Sequence, residues 1–197
     1  MKTRILIGVF FFGLVTCAFP PASPEIKDCR QETPASGFDS SKFFTGTWYV
    51  THAKNISTSV CHQFNTTMKG STITVTADGY YDIGGKRNFY KVPCTGSVKS
   101  DKKVSLTCQP KKPDSKTKST SNVQVEVTIM ETDNTGYALL YRCATSASRK
   151  SDNYLVIQRN QNGNLPSLKS NVLSGQKGKV ISRKQSTHVC NLMPPVQ

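Results

Sequence analysis

Seven cysteines and three histidines are the residues of this 197-residue chain whose spacing could support disulfide, metal or nucleophilic chemistry. Cys17 lies in an apolar leader, and six cysteines follow it: Cys29, Cys61, Cys94, Cys108, Cys143 and Cys190. An even number of widely spaced cysteines in a secreted chain indicates three disulfides. The chain has no C-x-x-C pair, and its histidines (His52, His62 and His188) are scattered, so no metal site is expected.

The leader that carries Cys17 is typical of a secretory signal peptide. Lys2 and Arg4 precede an apolar run from Ile5 to Val15, and small residues follow up to Ala18. This run is shorter than the roughly 20 residues that a membrane helix needs. We therefore predict that residues 1–18 are a signal peptide and that residues 19–197 form one secreted domain, not inserted in a membrane.

Two further motifs have meaning only in a secreted chain. Asn55-Ile56-Ser57 and Asn65-Thr66-Thr67 match the acceptor pattern for N-glycosylation. We predict that Asn55 and Asn65 are glycosylated at the surface of the domain.

Catalysis is not expected from this sequence. It contains no convincing nucleophile, base and orienting residue, and no Gly-rich phosphate loop. With six cysteines in disulfides, the mature chain also has no reactive thiol. We therefore predict that the protein is not an enzyme and needs no cofactor.

The pattern along the mature chain predicts which elements position these residues. Short runs of β-branched and aromatic residues alternate with Gly, Asn, Asp and Ser, as in all-β sandwiches and barrels. Eight strands are predicted, over residues 45–54, 61–68, 71–82, 86–99, 102–110, 122–132, 136–145 and 151–160. A short helical turn is expected near residues 39–44.

One α-helix is predicted after the last strand. Asn164 can cap it, Pro166 suits its first turn and Gly175 can end it. Between them, four apolar residues form a stripe: Leu165, Leu168, Val172 and Leu173.

Antiparallel pairing predicts which side chains face inward. A hairpin centred on Asn134 pairs Ile129 with Leu139, and the next hairpin pairs Tyr141 with Leu155. This register turns Leu139 and Tyr141 inward and leaves Glu126 and Arg142 outside as a surface ion pair. A third hairpin, around Ser100 and Asp101, places Cys94 opposite Cys108, where a disulfide is geometrically reasonable.

The segment from Phe43 to Thr51, with Gly46 and Trp48, resembles the start of the first strand in the lipocalins. In that family an Arg after the last strand covers the Trp, and Arg159 matches it. The resemblance implies an all-β fold: an eight-stranded antiparallel up-and-down lipocalin barrel with one C-terminal α-helix. Gly46, Trp48 and Arg159 identify this architecture and do not identify a ligand.

The longer string from Trp48 to Lys54, together with six mature cysteines, resembles the salivary lipocalins of triatomine bugs, in the triabin, pallidipin and platelet-aggregation-inhibitor group. The resemblance implies three disulfides: Cys29 with Cys143, Cys61 with Cys190, and Cys94 with Cys108. It also implies a secreted, monomeric salivary protein that impairs host haemostasis. Members of the group sequester adenine nucleotides, biogenic amines or eicosanoids, or bind clotting proteins.

Haem is not expected as a ligand, although related nitrophorins hold it through a His on a middle strand. The chain has no His between Gln63 and Thr187. His52 and His62 are interpreted as ordinary polar positions near the loop between the first two strands.

Positive charge favours an anionic ligand. The chain carries 26 Lys plus Arg against 12 Asp plus Glu, a net charge of +14, and the loops at the end away from Trp48 hold most of the excess. ADP is the favoured platelet agonist, because aromatic side chains can hold its base and basic ones its phosphates. The candidate residues are Tyr81, Tyr90 and Tyr141 for the base, and Lys86, Arg87, Lys112, Arg149 and Lys150 for the phosphates. A solvated rim without a site is the competing interpretation.

Three alternatives stay open. An eicosanoid such as thromboxane would place its carboxylate on the same basic rim and its tail in the barrel. A biogenic amine would need a carboxylate or an aromatic cage, and the predicted register puts no Asp or Glu inside the last three strands. A host haemostatic protein, such as a clotting factor or collagen, could meet the basic loop at residues 110–116. Nucleic acid is not expected as a partner of a secreted disulfide protein.

Overall fold

A computed structural model describes residues 25–54, 58–83, 86–111, 122–147, 149–174, 180–186 and 190. The predicted signal peptide, Asn55, Lys112 and Gly175 lie outside these residues, as do the side chains of Lys86 and Arg87. None of the helices in the described ranges is long and apolar enough to cross a membrane.

Eight antiparallel strands form a closed barrel, which confirms the predicted all-β lipocalin-like architecture. The barrel strands are β2 (Gly46–Ala53), β3 (Gln63–Lys69), β4 (Thr72–Ile83), β6 (Pro93–Val98), β7 (Val104–Cys108), β8 (Val123–Thr132), β9 (Tyr137–Ser146) and β10 (Arg149–Gln158). Each pairs with the next along the chain, and β10 pairs with β2 to close the barrel. Three accessory strands complete the sheet: β1 (Glu25–Ile26) beside β10, β5 (Lys86–Tyr90) beside β4, and β11 (Ile181–Ser182) beside β2.

The strand predicted over residues 86–99 is divided into β5 and β6. Both pieces pair with β4, but Lys91 forms an isolated bridge with Lys111 between them. Pro93 is the first residue of β6, one of the few positions in a sheet that tolerate proline.

The closed end of the barrel is built around Trp48, which is fully buried. The indole Nε1 donates to the Phe43 carbonyl at 3.0 Å, and the Arg159 guanidinium lies over the ring. Phe43 belongs to α1 (Ser40–Phe43), whose first turn is capped by the Asp39 carboxylate. The predicted helical turn and the predicted contact between Arg159 and Trp48 are therefore both present.

The predicted register is confirmed between β6 and β7, where Cys94 lies opposite Cys108. It is wrong by one residue between β8 and β9, where Ile129 lies opposite Leu140, and between β9 and β10, where Tyr141 lies opposite Tyr154 and not Leu155. A shift of one residue reverses the face of every side chain on β9. Arg142 therefore lines the barrel cavity, and the predicted surface ion pair between Glu126 and Arg142 does not form. The Glu126 carboxylate instead forms ion pairs with Lys99 at 3.4 Å and with Lys103 at 3.6 Å.

The β8–β9 turn and a bulge in β8 together set the observed register. The Asp133 carboxylate accepts the N–H groups of Thr135, Gly136 and Tyr137 in a loop that is longer than the predicted one. This loop pairs Glu131 with Leu139, a shift of two residues that keeps the predicted faces. The bulge between Ile129 and Glu131 reduces the shift to one residue, and this change turns Arg142 inward.

The outer face of β9 and β10 is also apolar, because the terminal segments cover it. Its buried residues are Leu139, Tyr141, Cys143, Tyr154 and Val156. Leu173 from the C-terminal segment and Ile26 from the N-terminal segment pack against them. Alternation therefore could not show which face lines the cavity.

The helix predicted over residues 164–175 is absent from the described part of that segment, where residues 164–174 contain only turns, bends and irregular backbone. Leu173 is buried in the outer apolar cluster without helical structure. The N–H groups of Lys169 and Ser170 donate to the Glu131 carboxylate at 2.9 and 3.2 Å, in place of the carbonyls of a helix.

Three disulfides link these segments, and their pairs are those that the family resemblance implied. Cys29–Cys143 ties the N-terminal segment to β9, and Cys94–Cys108 links β6 to β7. Cys61–Cys190 holds the C-terminal segment to the short 3₁₀ helix Thr58–Cys61, which forms part of the cavity wall.

Candidate functional site

The barrel encloses a cavity of about 310 Å³. This volume is at the lower end of the ~300–1,000 Å³ that small-molecule sites occupy. Phe43, Phe44 and Trp48 line its closed end, and Ser146, Arg149 and Ser151 line the other end. Most of the wall between them is aliphatic: Val75, Ala77, Val92, Val104, Leu106, Val123, Val125, Val127, Ile129, Leu140, Leu155 and Ile157. Such a wall favours a ligand with a large apolar part.

Arg142 is the cation on the inner wall of β9. Burial lowers the pKa of its guanidinium, but an Arg stays charged at physiological pH. Its Nε is buried and has no hydrogen-bond partner among the described residues. The charge of Asp152 raises the pKa of Arg142, but that carboxylate binds the Tyr141 hydroxyl at 3.0 Å and the Arg30 Nε at 3.3 Å.

His62 lies in the cavity wall at the end of the 3₁₀ helix, with only 1% of its surface exposed. Its Nε2 is 2.9 Å from the carbonyl oxygen of Tyr80, and its ring stacks on Tyr81 with centroids 4.3 Å apart. Burial, together with the nearby charges of Arg142 and Arg183, lowers the pKa of His62 to about 3, so the ring is neutral. His62 lies just after the loop between β2 and β3, as interpreted from the sequence, but it is buried in the cavity wall. His52 is also buried but does not line the cavity.

Tyr81, a predicted site residue, lines the cavity between these groups. Its hydroxyl donates to the Ala77 carbonyl at 3.1 Å, and burial raises its pKa, so it stays protonated. Tyr90, also predicted, belongs to the barrel core and contacts the Tyr81 ring edge-on at 6.1 Å.

Among the basic residues predicted at the mouth, Arg149 lines the cavity and forms an ion pair with Glu25 at 3.3 Å. Lys150, next along β10, points to the outer face and pairs with Asp28 at 3.1 Å. Tyr141, predicted to hold a base, also lies on the outer face, since the register is shifted by one residue. Lys86 and Arg87 begin β5, and the positions of their side chains stay a prediction, as does that of Lys112.

The predicted glycosylation site at Asn65 lies on β3, beside inward-facing Phe64 and Thr66. Its side-chain carbonyl accepts a hydrogen bond from the Thr47 hydroxyl at 2.6 Å. Occupancy of this sequon stays a prediction.

The sequence analysis missed His62 and Arg142, which are the cavity-lining residues, among those described, with buried side-chain polar atoms that lack hydrogen-bond partners. Arg142 was misplaced by the shifted register, and one His gave no pattern that could place it. In the described part of the chain, no Asp or Glu lines the cavity, and no group of three or more His, Cys, Asp or Glu is placed to hold a metal. The arrangement is suited to hold an apolar molecule that carries an anionic group.

A protein-family model described as Triabin matches residues 18–172. The chain belongs to the triabin family. This membership places it in the salivary lipocalin-like group of triatomine bugs and confirms the resemblance seen in the sequence. Triabin-family barrels are ligand-binding proteins.

Similar proteins support this assignment. Triafestin-2 of Triatoma infestans is 35% identical over 167 residues, which cover 81% of this chain and 79% of that protein. Triplatin of Triatoma infestans is 36% identical and covers 84% of this chain and 85% of its own. Triabin of Meccus pallidipennis is 30% identical and covers 86% of this chain and 98% of its own.

Solved structures give the same fold. The tryptamine complex of the amine-binding protein of Rhodnius prolixus matches with a TM-score of 0.63 and 18% identity, over 82% of this chain and 89% of that one. A variant of LTBP1 in complex with leukotriene C4 matches with a TM-score of 0.50 and 28% identity, over 68% of this chain and 79% of that one. The likeness to the amine-binding protein, at 18% identity, shows the barrel fold alone.

Proposed function

We propose that this triabin-family protein is a monomer secreted in saliva that captures a lipid-derived carboxylate of the eicosanoid class and thereby inhibits host platelet aggregation. The mode is stoichiometric binding without catalysis. The observation that carries the proposal is the position of Arg142, a half-buried cation in a cavity whose wall is mostly aliphatic.

The guanidinium of Arg142 suits a carboxylate for two reasons. It can donate two parallel hydrogen bonds to the two carboxylate oxygens, a geometry that Lys cannot match. It is also partly desolvated before the ligand arrives, so binding adds less desolvation cost on the protein side than at an exposed cation. The ligand's apolar tail would then contribute about 25 cal/mol for each Å² that it buries against the aliphatic wall.

A biogenic amine is disfavoured by the same residue. A cationic ligand would meet the like charge of Arg142, and the described lining offers no carboxylate to balance it. The amine-binding neighbour shares the fold at 18% identity, which supports no ligand assignment here.

ADP, favoured from the sequence, is the second candidate. Tyr81 offers an aromatic surface inside the cavity, and Arg149 offers a cation at its mouth. However, Arg149 already pairs with Glu25, and an aliphatic wall leaves the polar edge of an adenine without partners. The leukotriene C4 complex of a 28% identical neighbour also supports the lipid ligand over the nucleotide.

The proposal is tested by calorimetric titration of the mature protein with a thromboxane analogue, leukotriene C4, arachidonic acid, ADP and serotonin. We expect a lipid acid to bind more tightly than ADP, and serotonin not to bind. An Arg142→Met variant should lose about tenfold to a hundredfold in affinity for the lipid acid, the equivalent of one charged hydrogen-bonded contact. Lys150→Met is the matched control, because it removes a cation from the outer face of the neighbouring strand.

Two results would overturn the proposal. One is tighter binding of ADP than of every lipid acid, which would return the function to the nucleotide. The other is no binding of any small molecule, which would favour a host haemostatic protein as the target. In a platelet assay, we expect the protein to inhibit aggregation that the thromboxane analogue induces.

A further inference from the structure

We propose that His62 determines specificity: its Nδ1 accepts a hydrogen bond from a ligand hydroxyl, so the cavity prefers hydroxylated lipid acids over the unsubstituted acid. The inference rests on the proposed function, since it concerns the same cavity. It assigns a role to a buried histidine that capture of a carboxylate does not require.

The hydrogen bond to Tyr80 fixes the chemistry of the ring. A carbonyl oxygen accepts only, so His62 Nε2 carries the proton at that 2.9 Å contact. Since the ring is neutral, Nδ1 carries a lone pair and can only accept a hydrogen bond. Nδ1 is buried and has no partner among the described residues.

The surroundings hold the ring in this orientation. Tyr81 stacks on one face, and Tyr80 fixes Nε2. Gly79 is the residue opposite the ring: a Cβ there would lie 2.2 Å from His62 Cδ2. Any larger residue at position 79 would move the ring, so the sequence accommodates the imidazole with a residue that has no side chain.

An unsatisfied buried acceptor is costly, and a ligand donor would remove that cost. One ligand group cannot serve both residues. A carboxylate can accept hydrogen bonds from Arg142, but it has no proton to donate to His62 Nδ1. The two residues therefore call for two ligand groups: an anionic acceptor for Arg142 and an O–H donor for His62. Nδ1 is covered by its neighbours, so the hydroxyl reaches it by displacing a cavity side chain slightly.

A site built to bind a hydroxyl discriminates strongly against a ligand that lacks one, because its own polar group is then left without a partner. The experiment compares arachidonic acid with its 5-, 12- and 15-hydroxy derivatives by calorimetric titration. We expect at least one hydroxy acid to bind tenfold or more tightly than arachidonic acid. The His62→Phe variant keeps an aromatic ring but has no acceptor, so it should bind all four acids within about threefold. His52→Phe is the matched control and should keep the preference.

The outcomes separate the two proposals. Equal binding of the four acids to the native protein, or a preference that survives in His62→Phe, would overturn the role of His62 and leave lipid capture intact. Failure of all four acids and of the other lipids to bind would overturn the proposed function itself. If His62→Phe does not fold, the native protein decides the matter through the ¹⁵N resonance of His62 Nδ1. It should shift on binding of the preferred hydroxy acid and not of arachidonic acid, and equal shifts would refute the inference.

Discussion

The guanidinium carbon of Arg159 lies 3.7 Å from the centre of the Trp48 ring, at the closed end of the barrel. The same guanidinium donates to the carbonyls of Thr47 at 2.9 Å and Phe43 at 3.2 Å. Phe43 O also accepts the indole N–H, so one carbonyl joins both side chains. Arg159 therefore connects the last barrel strand to the first one and to the helical turn before it.

Substitution of Arg159 by Ala should destabilise the barrel without impairing binding. We expect a loss of about 2–3 kcal/mol in the free energy of unfolding, from the cation–π contact and from hydrogen bonds to a charged donor. Urea denaturation measures it. Lys42→Ala is the control at the same end, since among the described residues this exposed side chain forms an ion pair only with Asp39, at 3.6 Å, and should change stability by less than about 0.5 kcal/mol. Equal losses in the two variants would contradict a structural role for Arg159.

Gly79→Ala should disturb the cavity wall. The added Cβ would lie 2.2 Å from His62 Cδ2, closer than van der Waals contact allows, so the imidazole must move. Overpacking of this kind costs about 1–3 kcal/mol, and ligand affinity should fall as well. Gly37→Ala is the matched control, because its Cβ would meet nothing within 4 Å. Thermal unfolding and lipid titration would contradict the prediction if the two variants behaved alike.

The Arg142→Met variant should bind lipid acids more weakly without a loss of stability. The native barrel buries a cation whose Nε has no partner in the described part of the chain, and replacing an uncompensated buried charge by an apolar side chain is often neutral or stabilising. We expect unchanged or greater stability together with weaker capture of lipid acids. A loss of more than about 2 kcal/mol in urea denaturation would show instead that Arg142 holds the barrel together.

The sequence was sufficient to predict the fold because the relevant signals are local. Gly46, Trp48 and Arg159 match a motif, and the strand pattern follows from alternating residue types. The helix predicted over residues 164–175 failed because tertiary contacts outweighed local preference. Leu173 finds apolar neighbours on the outside of β9, and Glu131 accepts the N–H groups that a helix would have satisfied.

The candidate site was less predictable, for a reason that lies in one bulge. Leu139, Leu140 and Tyr141 are consecutive and all buried, so hydrophobicity does not reveal which of them faces the cavity. The bulge between Ile129 and Glu131 changes the pairing by one residue, and this change decides the face on which Arg142 lies. His62 is placed by the end of a short 3₁₀ helix and by a disulfide between distant residues, neither of which leaves a periodic pattern.

Acid should destabilise the protein through His62. The pKa of this imidazole is about 3 in the folded protein and 6.5 without burial, so between these pH values the unfolded chain binds more protons. Stability from the neutral, buried ring is therefore complete above pH 6.5 and is lost as the pH falls toward 3, at up to about 1.4 kcal/mol per pH unit. Urea denaturation at several pH values from 7.5 to 4.5 should show that native stability falls more steeply than that of His62→Phe, which has no proton to bind there. The raised pKa of Asp78 acts in the opposite direction but is common to both proteins, so it cancels in the difference. Parallel curves would mean that His62 is protonated as readily in the folded state as in the unfolded one.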